Sequence, residues 1–344
     1  TLHFALKPLP HPAVVNTLLQ EGASFDLASN GEIDLAARVG VPAASTIHTH
    51  PIKRDSDIRY ALEYGCKVFV VDNLNELEKF IPYNNQAEIL IRLGFRNADA
   101  YADLSKKFGC SRQQAITIMQ HAKHLGIHIK GLSFHVGSQT TSPAKFVDAI
   151  ESCAQLISDA AELGLPALST LDIGGGFPFD YHNNVLPIDP FCAPIREALK
   201  QLPDTVKVIA EPGRFIVAPA GTAVSTVMGQ SERDDRTWYY LDDGIYGSYS
   251  GILFDHSSYP IDTLHTDGNR ERHPSVLAGP TCDSIDVITG EILLPKLKNG
   301  DLVIGRHMGA YSTATATEFN FFRKATIVVL NEVAGDFTEV LKLA

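Results

Sequence analysis

Lys7 lies just past the apolar run His3–Leu6 and ahead of Pro8-Leu9-Pro10, so it ends a strand and does not continue a helix. A lysine partly desolvated there can attack an aldehyde and hold it as a Schiff base. A solvated strand-end lysine is the plain alternative. Gly174-Gly175-Gly176 follows the run Thr170–Ile173. Backbone without Cβ atoms lets amides approach an anion such as phosphate, although a tight turn asks for the same residues. Arg214, after the run Val206–Ala210, is a fixed cation able to reach that phosphate. Glu211 ends the same run. A carboxylate there can keep a pyridine ring protonated, and a protonated pyridine is the electron sink that stabilises a carbanion; a salt bridge to Arg214 is the simpler role. His135 ends Ile129–Phe134 and precedes Val136-Gly137-Ser138, where it could stack on a flat ring or pack as a core histidine.

These residues are useful together only if the chain gathers them. Eight short apolar runs occur in order: His3–Leu6, Ser24–Leu27, Thr46–Thr49, Val68–Val71, Ile89–Leu93, Ile129–Phe134, Thr170–Ile173 and Val206–Ala210. Helical patterns lie between them, among them His11–Gln20, Asp57–Tyr64, Ser111–Leu125 and Ser142–Leu163, each stopping at or near a glycine. Alternating strands and helices predict an α/β fold with a parallel sheet, and eight units are the number that closes a (β/α)8 barrel. Active residues of such barrels sit at the carboxyl ends of the strands, with phosphate sites after strands seven and eight. From about Ala220 the rhythm changes to strand-like segments: Thr222–Met228, Thr237–Leu241, Ser275–Leu277, Leu302–Ile304 and Ala325–Leu330. The expectation is a barrel over residues 1–218 and a mostly β domain over 219–344. The chain opens at Thr1 inside an expected strand, and an upstream segment could supply a partner for the last strands of the β domain.

A chain of 344 residues holds one large domain or two ordinary ones, and 44% hydrophobic with 20% charged residues is a soluble globular composition. The formal net charge of -11 disfavours a nucleic-acid surface. No apolar stretch reaches the roughly 20 residues of a spanning helix, so no membrane is expected. Cys66, Cys110, Cys153, Cys192 and Cys282 are scattered without a Cys-x-x-Cys pair. That suits a reducing, cytoplasmic setting and neither a disulfide framework nor zinc.

The strings Phe4-Ala5-Leu6-Lys7, Phe25-Asp26-Leu27-Ala28-Ser29, His135-Val136-Gly137-Ser138, Asp172-Ile173-Gly174-Gly175-Gly176-Phe177 and Glu211-Pro212-Gly213-Arg214 resemble the fold-type III, alanine-racemase-like decarboxylases of basic amino acids. Asp243-Gly244-Ile245-Tyr246-Gly247-Ser248, Phe254-Asp255-His256, Gly279-Pro280-Thr281-Cys282-Asp283 and Met308-Gly309-Ala310-Tyr311 continue the resemblance. It runs through the whole chain and is nearest the ornithine and ornithine/lysine branch. It implies pyridoxal 5'-phosphate held by Lys7, with Asp26 and Arg92 near the linkage and His135 on the ring face. Ser138, Gly174, Gly175, Gly176, Gly213, Arg214 and Tyr311 would hold the phosphate, and Glu211 would face the pyridine nitrogen. Asp255 would bind the substrate's distal ammonium, with Tyr246 and Phe319 also lining the substrate. The resemblance further implies a head-to-tail homodimer with shared active sites. Cys282 and Asp283 would come from the other subunit, the thiol protonating the carbanion and the carboxylate pairing with the ammonium. Both roles are chemically sound: a thiol donates protons readily near neutrality, and a carboxylate gives an ammonium a charge-assisted bond.

The implied reaction is decarboxylation of L-ornithine to putrescine or L-lysine to cadaverine, in polyamine biosynthesis. Relatives acting on diaminopimelate carry Cys-Glu-Ser where this chain has Cys282-Asp283-Ser284, which favours a single-cation tail. One methylene separates ornithine from lysine, worth about 1–3 kcal/mol in a fitted pocket, so their ranking stays open. Asn97–Gly109 is expected to help set pocket length. The alternatives are a diaminopimelate or carboxynorspermidine-type decarboxylase, or a non-catalytic regulatory homologue; a racemase is disfavoured by Glu211, because the resemblance places a cationic partner on the ring nitrogen there. Three departures stand out: Phe254 where tyrosine is common, Phe319-Asn320-Phe321-Phe322 in place of Phe-Asn-Gly-Phe, and His48-Thr49-His50-Pro51 where Asn-Pro is frequent. His48 and His50 have no third ligand in view, so no metal is expected.

Overall fold

A strand buried on both faces reads as an unbroken apolar run, because neighbours cover it inside and out. The computed structural model describes residues 1–98, 100, 102–264 and 271–330, and places such runs in β1 (His3–Ala5), β2 (Ser24–Leu27), β3 (Thr46–His48), β4 (Val68–Val71), β5 (Glu88–Leu93), β6 (His128–Phe134), β7 (Thr170–Asp172) and β8 (Lys207–Ile209). They form one eight-stranded sheet in sequence order with parallel neighbours. Leu2 bridges Ala210, and His3 N–H donates to the Ala210 carbonyl at 2.8 Å, which joins β8 back to β1. The expected α/β barrel is therefore present.

Between the strands run α1 (Pro12–Gln20), α2 (Asn30–Val39), α3 (Asp55–Tyr64), α4 (Leu74–Glu78), α5 (Arg112–Leu125), α6 (Ala144–Glu162) and α7 (Ile188–Leu199). The start of α5 is set by a reciprocal cap: Gln114 N–H donates to Ser111 Oγ, and Ser111 N–H donates to Gln114 Oε1. α6 buries Phe146, Ala149, Ile150, Cys153, Leu156, Ile157 and Ala160, the spacing of one helix face. Each large apolar side chain buried there contributes about 1.5–3 kcal/mol. Sequence patterning missed α7, whose interior Pro194 reads as a helix breaker.

The chain divides into two compact units, Thr1–Asp180 with Asn184–Phe215, and Tyr181–Asn183 with the chain from Ile216 onward. The second unit is built on a six-stranded sheet of β9 (Ala223–Arg233), β10 (Arg236–Leu241), β11 (Ile261–Thr263), β12 (Arg272–Ala278), β13 (Val287–Pro295) and β14 (Leu302–Gly305), in the order β11-β14-β9-β10-β12-β13. β10 pairs with β12 in parallel, and the other described pairs are antiparallel. Asp234 and Asp235 close the β9–β10 hairpin with φ of 49° and 59°, the backbone a two-residue turn needs to match strand twist. Tyr239, Leu241, Tyr249, Val276, Leu277 and Val303 are buried in this unit. The expected strand Ala325–Leu330 does not form: Ile327 and Val328 are exposed, and no described strand pairs with the segment. Apolar, β-branched composition makes a strand only where a neighbour supplies hydrogen bonds. No described helix is long and apolar enough to cross a membrane.

Candidate active site

Side chains alternate along a strand, so pairing register decides which residues share the barrel interior. Ala5 pairs with Asp26, Asp26 with Ile47, Val70 with Leu90, Arg92 with Ser133, Ser133 with Asp172, and Asp172 with Ile209. The same alternation carried to the strand ends puts Lys7, Asp26, Thr49, Asp72, Arg92, His135, Asp172 and Glu211 on that shared side. Each strand thus delivers a polar side chain at or just beyond its carboxyl end. Thr49 Oγ1 donates to Asp26 Oδ1 at 2.5 Å, as adjacent inward positions should.

Four acids, Asp26, Asp72, Asp172 and Glu211, are coupled to Arg92 in this ring, and Lys7 acts on Asp26 and Glu211. Burial, then the charge of Glu211, pushes the Asp26 carboxyl up to about 7, against the pull of Lys7, Thr49 and Arg92. Burial raises Asp172 to about 6. Glu211 is pushed well above the usual carboxylate range by desolvation and then by Asp172, with Lys7 and Arg92 opposing. The His135 ring is held well below its ordinary value by burial, with Lys7 and Arg92 adding repulsion. Gly137 N–H donates to His135 Nδ1 at 3.0 Å, so the neutral ring carries its proton on Nε2. The Arg92 guanidinium lies 5.5 Å from the Phe108 ring centre.

Beside the acids, the glycine turn is forced to be glycine. Gly174 and Gly176 have φ of +65° and +94°; a Cβ would lie 2.2 Å from the Phe134 carbonyl oxygen at Gly174, and 2.1 Å from that of Gly137 at Gly176. Phe177 anchors the turn, stacking on Phe146 at 4.9 Å with Phe191 at its edge. Arg214, buried, donates to Ser138 Oγ at 3.1 Å, which brings the β6 and β8 loops together. Gly213 seats against Pro8, where a Cβ would fall 2.7 Å from Cγ. In the loop after β5, Asn97 Nδ2 donates to the Val136 carbonyl, and the Ala102 carbonyl accepts from Ser138 N–H. Residues 99 and 101 of this loop lie outside the described set.

The sheet unit gathers a second group. Tyr246 OH donates to Asp283 Oδ2 at 2.6 Å, and its ring stacks on Phe319 at 4.5 Å. That bond holds the Asp283 carboxyl below its ordinary range. Cys282, exposed, donates its N–H to Asn320 Oδ1 at 3.2 Å. Buried Asp286 ties the pieces by accepting from Ile245 N–H, Thr281 N–H and Thr281 Oγ1. Asp255 ends the helix Gly251–Asp255 and accepts from Ser257 Oγ. Tyr311, in left-handed backbone at φ 54°, accepts from Thr315 through its carbonyl.

Residues 1–218 match the pyridoxal-binding domain model of the pyridoxal-dependent decarboxylases. The chain belongs to that family. It is 36% identical over 341 residues to the lysine/ornithine decarboxylase of Selenomonas ruminantium, covering 98% of this chain and 86% of that protein. It aligns with the solved Vibrio vulnificus lysine/ornithine decarboxylase complexed with putrescine at TM-score 0.91 and 64% identity, covering 97% of this chain and 88% of that one. The Paramecium bursaria Chlorella virus arginine decarboxylase bound to agmatine aligns at TM-score 0.89 and 31% identity, covering 94% and 88%.

In this decarboxylase the structure brings Lys7, Asp26, Arg92, His135, Ser138, Gly174, Gly175, Gly176, Glu211, Gly213 and Arg214 to one barrel mouth. Tyr246, Cys282, Asp283 and Phe319 meet in one loop cluster of the other unit, with Asp255 and Tyr311 elsewhere in it. Sequence reasoning missed Thr49, Asp72 and Asp172 as members of the ring. Asp172 had a signal, since it stands two residues before the glycine turn; Thr49 and Asp72 become visible only once register is known.

Proposed function

We propose that this chain is a pyridoxal-phosphate-dependent carboxy-lyase that decarboxylates L-ornithine, L-lysine or both, giving putrescine and cadaverine. The observation that carries the reading is the barrel mouth itself, where a lysine, a glycine cradle with a buried arginine, and a carboxyl after β8 share one ring. Pyridoxal phosphate fits the chemistry of this set: a turn of three glycines, whose amides no Cβ shields, and the buried Arg214 guanidinium at Ser138 Oγ are donors suited to an anion. Relatives named lysine/ornithine decarboxylase along nearly the whole chain support the substrate class.

When bound, the cofactor supplies an electron sink for the bond that loses carbon dioxide. Lys7 would hold its aldehyde, and Glu211 would hold a proton at the pyridine nitrogen. The glycine turn, Ser138, Arg214 and Tyr311 would take the phosphate. His135, its Nδ1 committed to Gly137 N–H, would present a flat neutral face to the ring. Asp26 and Arg92 would orient the aldehyde end. Asp255 and Asp283 would pair with the distal ammonium, beside Tyr246 and Phe319, and Cys282 would return a proton to Cα. The same reading makes the protein a homodimer in which Cys282 and Asp283 serve the partner's barrel. Exposure of Cys282 and the absence of disulfides among the described cysteines support this and a reducing, cytoplasmic setting.

The test is carbon dioxide release by the cofactor-loaded chain with L-ornithine, L-lysine, L-arginine and meso-diaminopimelate in parallel. Turnover of ornithine or lysine is expected, and their ratio sets the preference that one methylene leaves open. Turnover of arginine or diaminopimelate alone would replace the substrate assignment, and silence on all four with cofactor bound would overturn the activity.

A further inference from the structure

Asp172 has no part in the chemistry above, yet it is fully buried inside the barrel end. Its Oδ1 accepts the Gly174 N–H at 2.9 Å, and the Gly174 carbonyl accepts the Glu211 N–H at 2.8 Å. One residue of the glycine turn, Gly174, therefore bonds the Asp172 carboxyl through its N–H and the Glu211 backbone through its carbonyl. Asp172 Oδ2 is buried without a well-aligned donor, while the Glu211 carboxyl is close enough to couple to it. Two carboxyls enclosed together cannot both stay ionised cheaply, and a shared proton relieves the repulsion.

We infer that Asp172, itself held by the glycine turn, is a positioning residue that keeps a proton on Glu211 in the cofactor-free protein. This rests on the proposed cofactor reading. In it, the Glu211 carboxyl would supply the proton held at the pyridine nitrogen, so that binding would need no proton from solvent. The groups facing Glu211 are Asp172 from β7, Asp26 from β2, Lys7 after β1 and Arg92 from β5, with the His135 ring across Gly175. The two cations oppose protonation of the pair, and Asp26 favours it. The high position of the Glu211 titration agrees with the direction.

Infrared difference spectra of the full-length, cofactor-free chain across about pH 5–9 test this first. A protonated carboxyl band is expected to persist at about pH 8–9, above the titrations of Asp26 and Glu32 at about 7, to vanish there in Glu211→Gln and to move down by about one pH unit in Asp172→Asn. Absence of that band in the unsubstituted chain overturns the inference, and needs no variant to fold. Calorimetry of pyridoxal phosphate binding in buffers of different ionisation enthalpy gives the second reading. Asp172→Asn should draw a larger fraction of a proton from solvent per site than the unsubstituted chain. Equal uptake with normal binding would also overturn it. If the unsubstituted chain binds no pyridoxal phosphate, the cofactor reading falls, while the infrared result still decides the carboxyl pair.

Discussion

The barrel unit and the sheet unit hold their candidate residues by different means. In the barrel, polar side chains come from eight strand ends and are fixed by backbone register, so Asp26, Arg92 and Asp172 answer to one another before any ligand arrives. In the sheet unit, Tyr246, Asp283, Cys282 and Phe319 come from loops, with Cys282 and Phe319 exposed. The first group is buried within the barrel; the second is partly open to solvent. Strands position side chains rigidly because each is paired on both edges, whereas loops are positioned by side-chain anchors such as Asp286.

The comparison predicts that barrel substitutions change cofactor binding, whereas substitutions in the Tyr246, Cys282, Asp283 and Phe319 cluster change turnover alone. The largest effect is expected from Lys7→Ala, which should abolish decarboxylation and the visible absorbance of bound pyridoxal phosphate. A variant that keeps the full absorbance would break the assignment of Lys7. Cys282→Ala should keep that absorbance and lose about 10²- to 10⁴-fold in turnover, the range of a positioned proton donor. Unchanged kinetics and product stereochemistry would remove the thiol from the reaction. Mixing Lys7→Ala with Cys282→Ala chains should restore part of the activity; subunit exchange without rescue would argue against sites shared between chains.

A smaller effect separates the units by pH. Asp26 titrates at about 7 when folded and near 3.9 when unfolded. Between those values the folded chain holds more protons, so this residue's contribution to stability falls as pH rises. Denaturation of the cofactor-free protein should show Asp26→Asn gaining on the unsubstituted chain from about pH 4 to about pH 7. A gap that stays flat across that window would show Asp26 is not the buried acid the barrel makes it. The smallest effect lies in the sheet unit. Phe321 is 99% exposed and sits in left-handed backbone at φ 60°, a conformation that costs a side chain about 1–2 kcal/mol. Phe321→Gly should raise denaturant stability by about 1 kcal/mol; a loss would mean the ring is packed against a partner in solution.

Much of this was legible in the chain. Ser24–Leu27 and Val68–Val71 form strands with the bounds their apolar runs suggest, because a parallel strand must be apolar on both faces. Lys7, Glu211 and the glycine turn were legible because few backbones or chemistries call for those residues at strand ends. The pairing of Asp172 with Glu211 was not, since the two lie in different strands and only β7–β8 register brings them together. Nor could the failure of Ala325–Leu330 to form a strand be read from composition, which does not say whether an edge is free to pair.

The sequence by itself determined the βα rhythm, the residue types at the strand ends and the change to a sheet-rich unit after the barrel. These follow from local periodicity and backbone stereochemistry. Only the tertiary structure decided which acids are buried together, which tautomer His135 adopts, and that Tyr246, Asp283 and Phe319 form one cluster. Those depend on distances between segments far apart in the chain, and on how much water the packing excludes from between them.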